Sequence, residues 1–144
     1  MAAILVTLVI ALPWLGAVAV WLTRSRNARL QHILAVNFSV LTGIVSLVLL
    51  KYAGSEAVIR IPLGISFGEL TFVPDGIAVS LTAIAAVIGS LAVIFSVDYM
   101  HGEEQLGRYY FLVLFFIGSM TGLVLSGNLL FTFFFWEITA LCSY

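Results

Sequence analysis

Charge is what this 144-residue chain has least of: Asp, Glu, Lys and Arg make up 9% of it, against 62% hydrophobic residues. A soluble domain carries about 25% charged residues. The deficit excludes an ordinary water-soluble globule and a disordered segment alike. Six Lys and Arg residues are nearly balanced by seven acids and form no basic stripe, which excludes a nucleic-acid binder. The single cysteine cannot close an internal disulfide, and no Cys/His cluster has the spacing of a zinc or iron–sulfur site. No metal or cofactor site is expected in this chain. With a mean hydropathy of +1.19, it reads as an integral membrane protein.

A hydrocarbon layer of about 30 Å takes roughly 20 helical residues to cross. Apolar runs of that order extend from Ala3 to Leu22, from Ile33 to Tyr52, from Gly76 to Val97 and from Tyr109 to Gly127. A last run, Asn128 to Tyr144, rises about 25 Å if wholly helical and stops short of a full crossing. Pro13 lies inside the first run, where a neighbouring helix can satisfy the carbonyl it frees. No Lys or Arg precedes Arg24, so the first run lacks the basic start of a signal peptide and reads as a retained helix. The fold expected is an all-α membrane bundle of about five helices. Its parts are an N-terminal helix pair with an outer loop (1–73), helices three and four (74–127), and the truncated start of a fifth helix (128–144).

Arg24, Arg26 and Arg29 fall in the short connection between the first two runs, which places that connection in the cytoplasm and the N-terminus outside. The 53–75 loop is then outside. The 98–108 loop is cytoplasmic, although Asp98, Glu103 and Glu104 make it net acidic. Two pieces of the outer loop, Val58 to Leu63 and Glu69 to Val73, are β-prone and separated by Gly64 and Gly68. A small β-hairpin between helices two and three is expected, the alternative being an irregular loop. Asp75 is positioned to cap the third helix.

Polar residues inside the apolar runs carry the functional signal. Glu137 lies nine residues past Asn128, about 13–14 Å along a helix and so near the midplane. An acid at that depth costs about 2.5–3.5 kcal/mol on insertion scales and marks an ion or proton pathway by default. A carboxyl in hydrocarbon keeps its proton unless a cation approaches, so a moving Lys or Arg would switch it. The competing reading is a protonated Glu holding one inter-helix hydrogen bond. The one lysine, Lys51, sits at a helix end and can snorkel to the surface, and Arg60 and Arg108 lie outside the apolar runs' core, so a partner cation is expected from another chain or from sequence outside these residues. His32, Asp98 and His101 fall at the cytoplasmic edge, as proton-uptake groups or as solvated interfacial residues. Gly118 and Gly122 form a G-x-x-x-G with Ser126 one step further along, a face for close helix packing that could alternatively line a water path. Ala86 and Ser90 form a similar small face on the third helix.

From Tyr99-Met100-His101-Gly102-Glu103-Glu104 through Arg108-Tyr109-Tyr110 the sequence resembles a known family. The likeness continues through Ser119-Met120, Leu123 to Ser126 and Asn128-Leu129-Leu130. It closes on Trp136-Glu137 and Leu141-Cys142-Ser143-Tyr144. This order of motifs resembles the N-terminal part of an antiporter-like, L-type membrane subunit of respiratory complex I. Its relatives are the large subunits of Mrp-type cation/proton antiporters and of membrane-bound hydrogenases. The likeness is close from about Pro74 onward and one of layout before that. It implies that Glu137 is the carboxylate that pairs with a lysine on a later, broken helix. It also implies that the chain is incomplete relative to the family.

The function so implied is proton translocation as part of an NADH:quinone oxidoreductase-like assembly in an energy-transducing membrane. The membrane is a bacterial or archaeal plasma membrane or an organellar inner membrane. This chain would be a non-redox subunit with no active site of its own, surrounded by other membrane subunits and lipid. Flavin, iron–sulfur clusters and quinone are expected only in those partners. An Mrp-type Na+/H+ antiporter subunit or a hydrogenase subunit is the alternative of the same class. A structural or assembly module without transport is the alternative of another class.

Overall fold

The computed structural model describes residues 1–23, 27–54, 58–62, 69–100 and 105–144. Among these described residues there are five helices: α1 (Ala2–Leu22), α2 (Ala28–Leu49, continued by a 3-10 turn at Leu50–Tyr52), α3 (Gly76–Tyr99), α4 (Leu106–Leu125) and α5 (Leu129–Ser143). Between α2 and α3 lie the strands β1 (Ile59–Pro62) and β2 (Glu69–Phe72). They pair antiparallel, with Ile59 opposite Phe72 and Pro62 opposite Glu69, so the hairpin expected from the alternating pattern is present. The first four helices are long and apolar enough to cross a membrane, while α5 is a shorter apolar helix of 15 residues.

Helices α1 to α4 close into a ring, α1 against α2 and α4, and α3 against α2 and α4; α5 lies outside against α4. On α3 the buried face is mostly small, with Ala78, Thr82, Ala83, Ala86, Ser90 and Ser96 beside Val79 and Val93, while Ile77, Ile84, Ile88 and Phe95 are exposed. In water this arrangement would be inside out. In lipid, where apolar side chains gain nothing by leaving the surface, helices approach on their small residues. Gly43 of α2 accordingly sits against Ala86 and Ser90. The buried hydroxyls of Ser39, Thr42, Ser46, Ser90, Ser119 and Thr121 each donate to a carbonyl of their own helix, so they add little polar surface to satisfy across the ring.

Contact between α1 and α4 is made by three complementary features. Gly118 has no side chain, and the Trp14 ring lies where its Cβ would be, with the Ile10 carbonyl behind it. The Trp14 indole Nε1 donates to the Phe115 carbonyl at 3.3 Å, and its ring stacks on Phe115 at 5.1 Å. Pro13, which has no N–H, leaves the Val9 carbonyl without its helical partner; Thr121 Oγ1 on α4 lies 3.4 Å from that oxygen. Gly122, one turn further, receives the ring of Phe135 from α5. The two glycines of the G-x-x-x-G therefore face different helices.

Several boundaries differ from the hydropathy reading. Helix α2 begins at Ala28, five residues before the apolar run, so Arg29 lies in its first turn and not in a connecting loop. Ala, Arg, Leu and Gln are all good helix formers, and a helix continues past the point where its residues cease to be apolar. Helix α4 covers Leu106–Leu125, which puts Arg108 inside the helix and Ser126 beyond it. Ser126 turns extended to bridge with Phe72 of the hairpin, so it does not continue the Gly118–Gly122 face. Asp75 caps α3 as expected, its Oδ1 accepting from Ala78 N at 2.6 Å.

The Gly118 contact can be tested directly. Gly118→Val should lower the thermal midpoint in mild detergent through overpacking against Trp14, a cost of about 1–3 kcal/mol. Gly76→Ala should not lower the midpoint, because nothing lies within 4 Å of the added carbon and alanine favours the helix over glycine.

Candidate functional site

Glu137 is positioned by the start of α5. Asn128 caps that helix, its side chain accepting from Leu130 N at 3.0 Å. The turn before it is held by the hairpin: Val73 N donates to Leu125 O at 2.9 Å, and Gly127 N donates to Thr71 O at 2.8 Å. Asn128 Nδ2 reaches Glu69 O at 3.3 Å. A side chain at Gly127 would meet Val73 and Thr71. The backbone of the α4–α5 turn thus lies along β2 almost as a third strand.

From that anchored start, α5 packs one narrow face inward. Phe135 is its single buried residue, at 4% exposure, seated against Gly122 and within 6.0 Å of the Trp14 ring and 6.4 Å of the Phe72 ring. Trp136 is 62% exposed, and Phe133, Phe134 and Leu141 are also exposed. Glu137 follows on this outward side. Among the described residues one ion pair occurs, the exposed Arg60–Glu69 pair at 4.0 Å across the hairpin. Glu137 therefore faces away from the four-helix ring, towards whatever packs on α5.

A second polar cluster occupies the opposite end of the ring. His32 Nδ1 and the Tyr110 hydroxyl are 2.7 Å apart, joining α2 to α4. Tyr110 is fully buried, meets His32 edge-on and lies beside Tyr109. The Tyr109 hydroxyl is 2.7 Å from Ser96 Oγ on α3. Three helices are thereby linked through His32, Tyr110, Tyr109 and Ser96. Asp98 is exposed in the last turn of α3, and His101 lies outside the described residues. Sequence reading singled out His32 but not its phenol partners. The signal was present in Tyr109-Tyr110 at a helix start, since a buried phenol needs a hydrogen-bond partner. No group of three or more His, Cys, Asp or Glu residues gathers among the described residues.

An apolar four-helix ring with a fifth apolar helix against it is the architecture of a multi-helix membrane protein. Comparison with known proteins narrows it. Residues 63–110 match the family model of the NADH-ubiquinone oxidoreductase (complex I) chain 5 N-terminus. That stretch runs from the hairpin to the start of α4 and ends before Glu137. The chain is also similar to Na(+)/H(+) antiporter subunit A1 of Staphylococcus haemolyticus, 41% identical over 70 residues, which is 49% of this chain and 9% of that protein. The corresponding Staphylococcus aureus subunit (strain bovine RF122 / ET3-1) is 40% identical over the same length and shares. The family model thus covers about a third of the chain, and the aligned stretch spans under a tenth of the length of those relatives.

The His32–Tyr110 link should be measurable as a coupling. In a double-mutant cycle with Tyr110→Phe and His32→Gln, unfolding in detergent should give an interaction energy of about 0.5–1.5 kcal/mol. Additive effects of the two substitutions would mean that the hydrogen bond contributes nothing to joining α2 and α4.

Proposed function

We propose that this chain is part of a subunit that moves protons across an energy-transducing membrane, with Glu137 as the proton-carrying carboxylate. The observation that carries the reading is the position of Glu137: midway along an apolar helix and turned outward from the bundle that anchors it. An acid so placed is costly unless it serves a pathway. A cation brought to it by a neighbouring helix would favour release of the proton, and its withdrawal would favour uptake. His32, at the end of the ring that also carries Arg29 and Arg108, is the uptake group, joined by Asp98 in the last turn of α3 and by His101 three residues further along the sequence. The basic residues put that end in the cytoplasm and the N-terminus outside.

Two assemblies suit this chemistry. The identity of about two in five to Na(+)/H(+) antiporter A1 subunits supports exchange of protons for sodium within a multi-subunit antiporter. The complex I family match supports redox-coupled pumping in an NADH:quinone oxidoreductase-like enzyme, where flavin, iron–sulfur clusters and quinone belong to partner subunits. In either case this chain contributes no redox centre.

Glu137→Gln in the full-length subunit, within its native assembly, tests the reading. Proton movement into everted vesicles should fall to near background while the assembly stays intact. Wild-type proton movement would remove Glu137 from the pathway, and loss of assembly alone would make the carboxyl a packing group. Drive by a sodium gradient or by an electron donor separates the two assemblies.

A further inference from the structure

Thr82 departs from the pattern that the other buried hydroxyls follow. It lies near the start of α3 with no exposed surface. Among the described residues, its Oγ1 is the buried side-chain polar atom that has no hydrogen-bond partner. A threonine in a helix can bond the carbonyl three or four residues back, as Thr42 and Thr121 do; Thr82 does not. A hydroxyl shut away from solvent with nothing to bond carries its full desolvation cost. Its partner is therefore to be sought outside the protein's own atoms.

Two neighbouring helices bring spare acceptors to the same level. Leu49, at the end of α2, and Leu125, at the end of α4, cluster with Ala78 and Val79 at the start of α3, so α3 runs antiparallel to both. Gly43 of α2 lies against Ala86 and Ser90. Ser46, three residues past Gly43, and Thr82, four residues before Ala86, are both about one turn nearer the hairpin than that contact. On α4, Ile117 lies against Gly89, and Thr121, four residues further on, comes within about one turn of the Thr82 level. Ser46 and Thr121 are fully buried. Each gives its proton to its own helix, Ser46 to Gly43 O at 2.7 Å and Thr121 to Gly118 O at 2.9 Å, and each keeps oxygen lone pairs that can accept. The buried side chains flanking Thr82 on α3 include Ala78, Ala83 and Ala86, all short, and Gly43 opposite has no side chain.

We infer that Thr82 holds an internal water in the hairpin-side half of the ring. The water accepts from Thr82 Oγ1 and donates to the hydroxyl oxygens of Ser46 and Thr121, about three bonds being usual for a buried water. Three neutral hydroxyls suit water, whereas a desolvated cation needs more oxygens and a counter-charge. The water ties α3 to α2 and α4 on the hairpin side, as the Tyr109–Ser96 bond ties α3 to α4 at the other end. Ser90, between those levels, bonds its own helix.

Cryo-electron microscopy of the full-length subunit in its native assembly, at a resolution that shows ordered waters, tests the site. The wild type should show a discrete peak about 2.7–3.0 Å from Thr82 Oγ1 and from the Ser46 and Thr121 hydroxyls. Thr82→Ser should keep that peak, and Thr82→Val, of nearly the same shape, should lose it. Thr82→Val should also lower the thermal midpoint in mild detergent by about 2–4 °C. A wild-type map with the hydroxyl turned onto the Ala78 carbonyl and no peak beside it would overturn the inference. So would a peak that persists in Thr82→Val, or one ringed by about six oxygens, which would be a cation. A Thr82→Val midpoint equal to or above the wild type would mean that the hydroxyl holds nothing.

Discussion

The approach of α1 to α4 at Gly118 is the constraint on which the rest of the structure depends. A side chain at that position would collide with Trp14, and Trp14 is also the residue that ties α1 to the Phe115 carbonyl. With the two helices this close, Thr121 comes within reach of the Val9 carbonyl that Pro13 leaves free. A proline in mid-helix is normally a loss of about 3 kcal/mol. Here the freed acceptor faces a hydroxyl of the neighbouring helix, so the irregularity becomes part of the interface. The same contact fixes the plane of the Trp14 ring, which together with Phe72 and Gly122 shapes the seat of Phe135.

Two halves of the molecule hang on this seam in different ways. Towards the hairpin, an apolar cluster of Val6, Val9, Leu49, Phe72, Val79, Leu125 and Phe135 joins all five helices. Towards the other end, Ala17, Val20, Ala35, Val93, Leu114 and Ile117 pack around the buried Tyr110, whose hydroxyl gives that end its polar link to His32. The candidate proton carrier belongs to the first half through Phe135, and the candidate uptake group to the second. Between them the ring interior holds hydroxyls that bond carbonyls of their own helices, together with Thr82, whose buried hydroxyl has no hydrogen-bond partner among the described residues.

Much of this was legible from residues alone, for identifiable reasons. The hairpin followed from polar–apolar alternation at Glu69-Leu70-Thr71-Phe72, and the α3 start from an acid directly before a Gly-led apolar run. The place of Glu137 midway along α5 needed only counting from Asn128. What escaped depended on partners. The start of α2 was placed too late because a hydropathy window marks the edge of the bilayer, whereas Arg29 and Gln31 are as content in a helix above it. Ser126 was assigned to a packing face because its role is made by backbone atoms, which have no signature in side-chain type. The direction in which Glu137 points was equally hidden, since an almost uniformly apolar α5 gives no polar side to read.

The pairing of the hairpin with the α4–α5 turn has a consequence for biogenesis. It joins residues 71–73 to residues 125–127 through backbone hydrogen bonds, and both partners must be on the same side of the bundle for it to form. That requires α3 and α4 to have crossed as a complete down-and-up pair. A nascent chain in which either helix failed to insert would leave the two segments on opposite sides, with β2 an open edge and Gly127 unpaired. The strand-like clamp thus closes only around a chain whose α3 and α4 return it to one side, and it then fixes the start of the helix that bears the carboxylate.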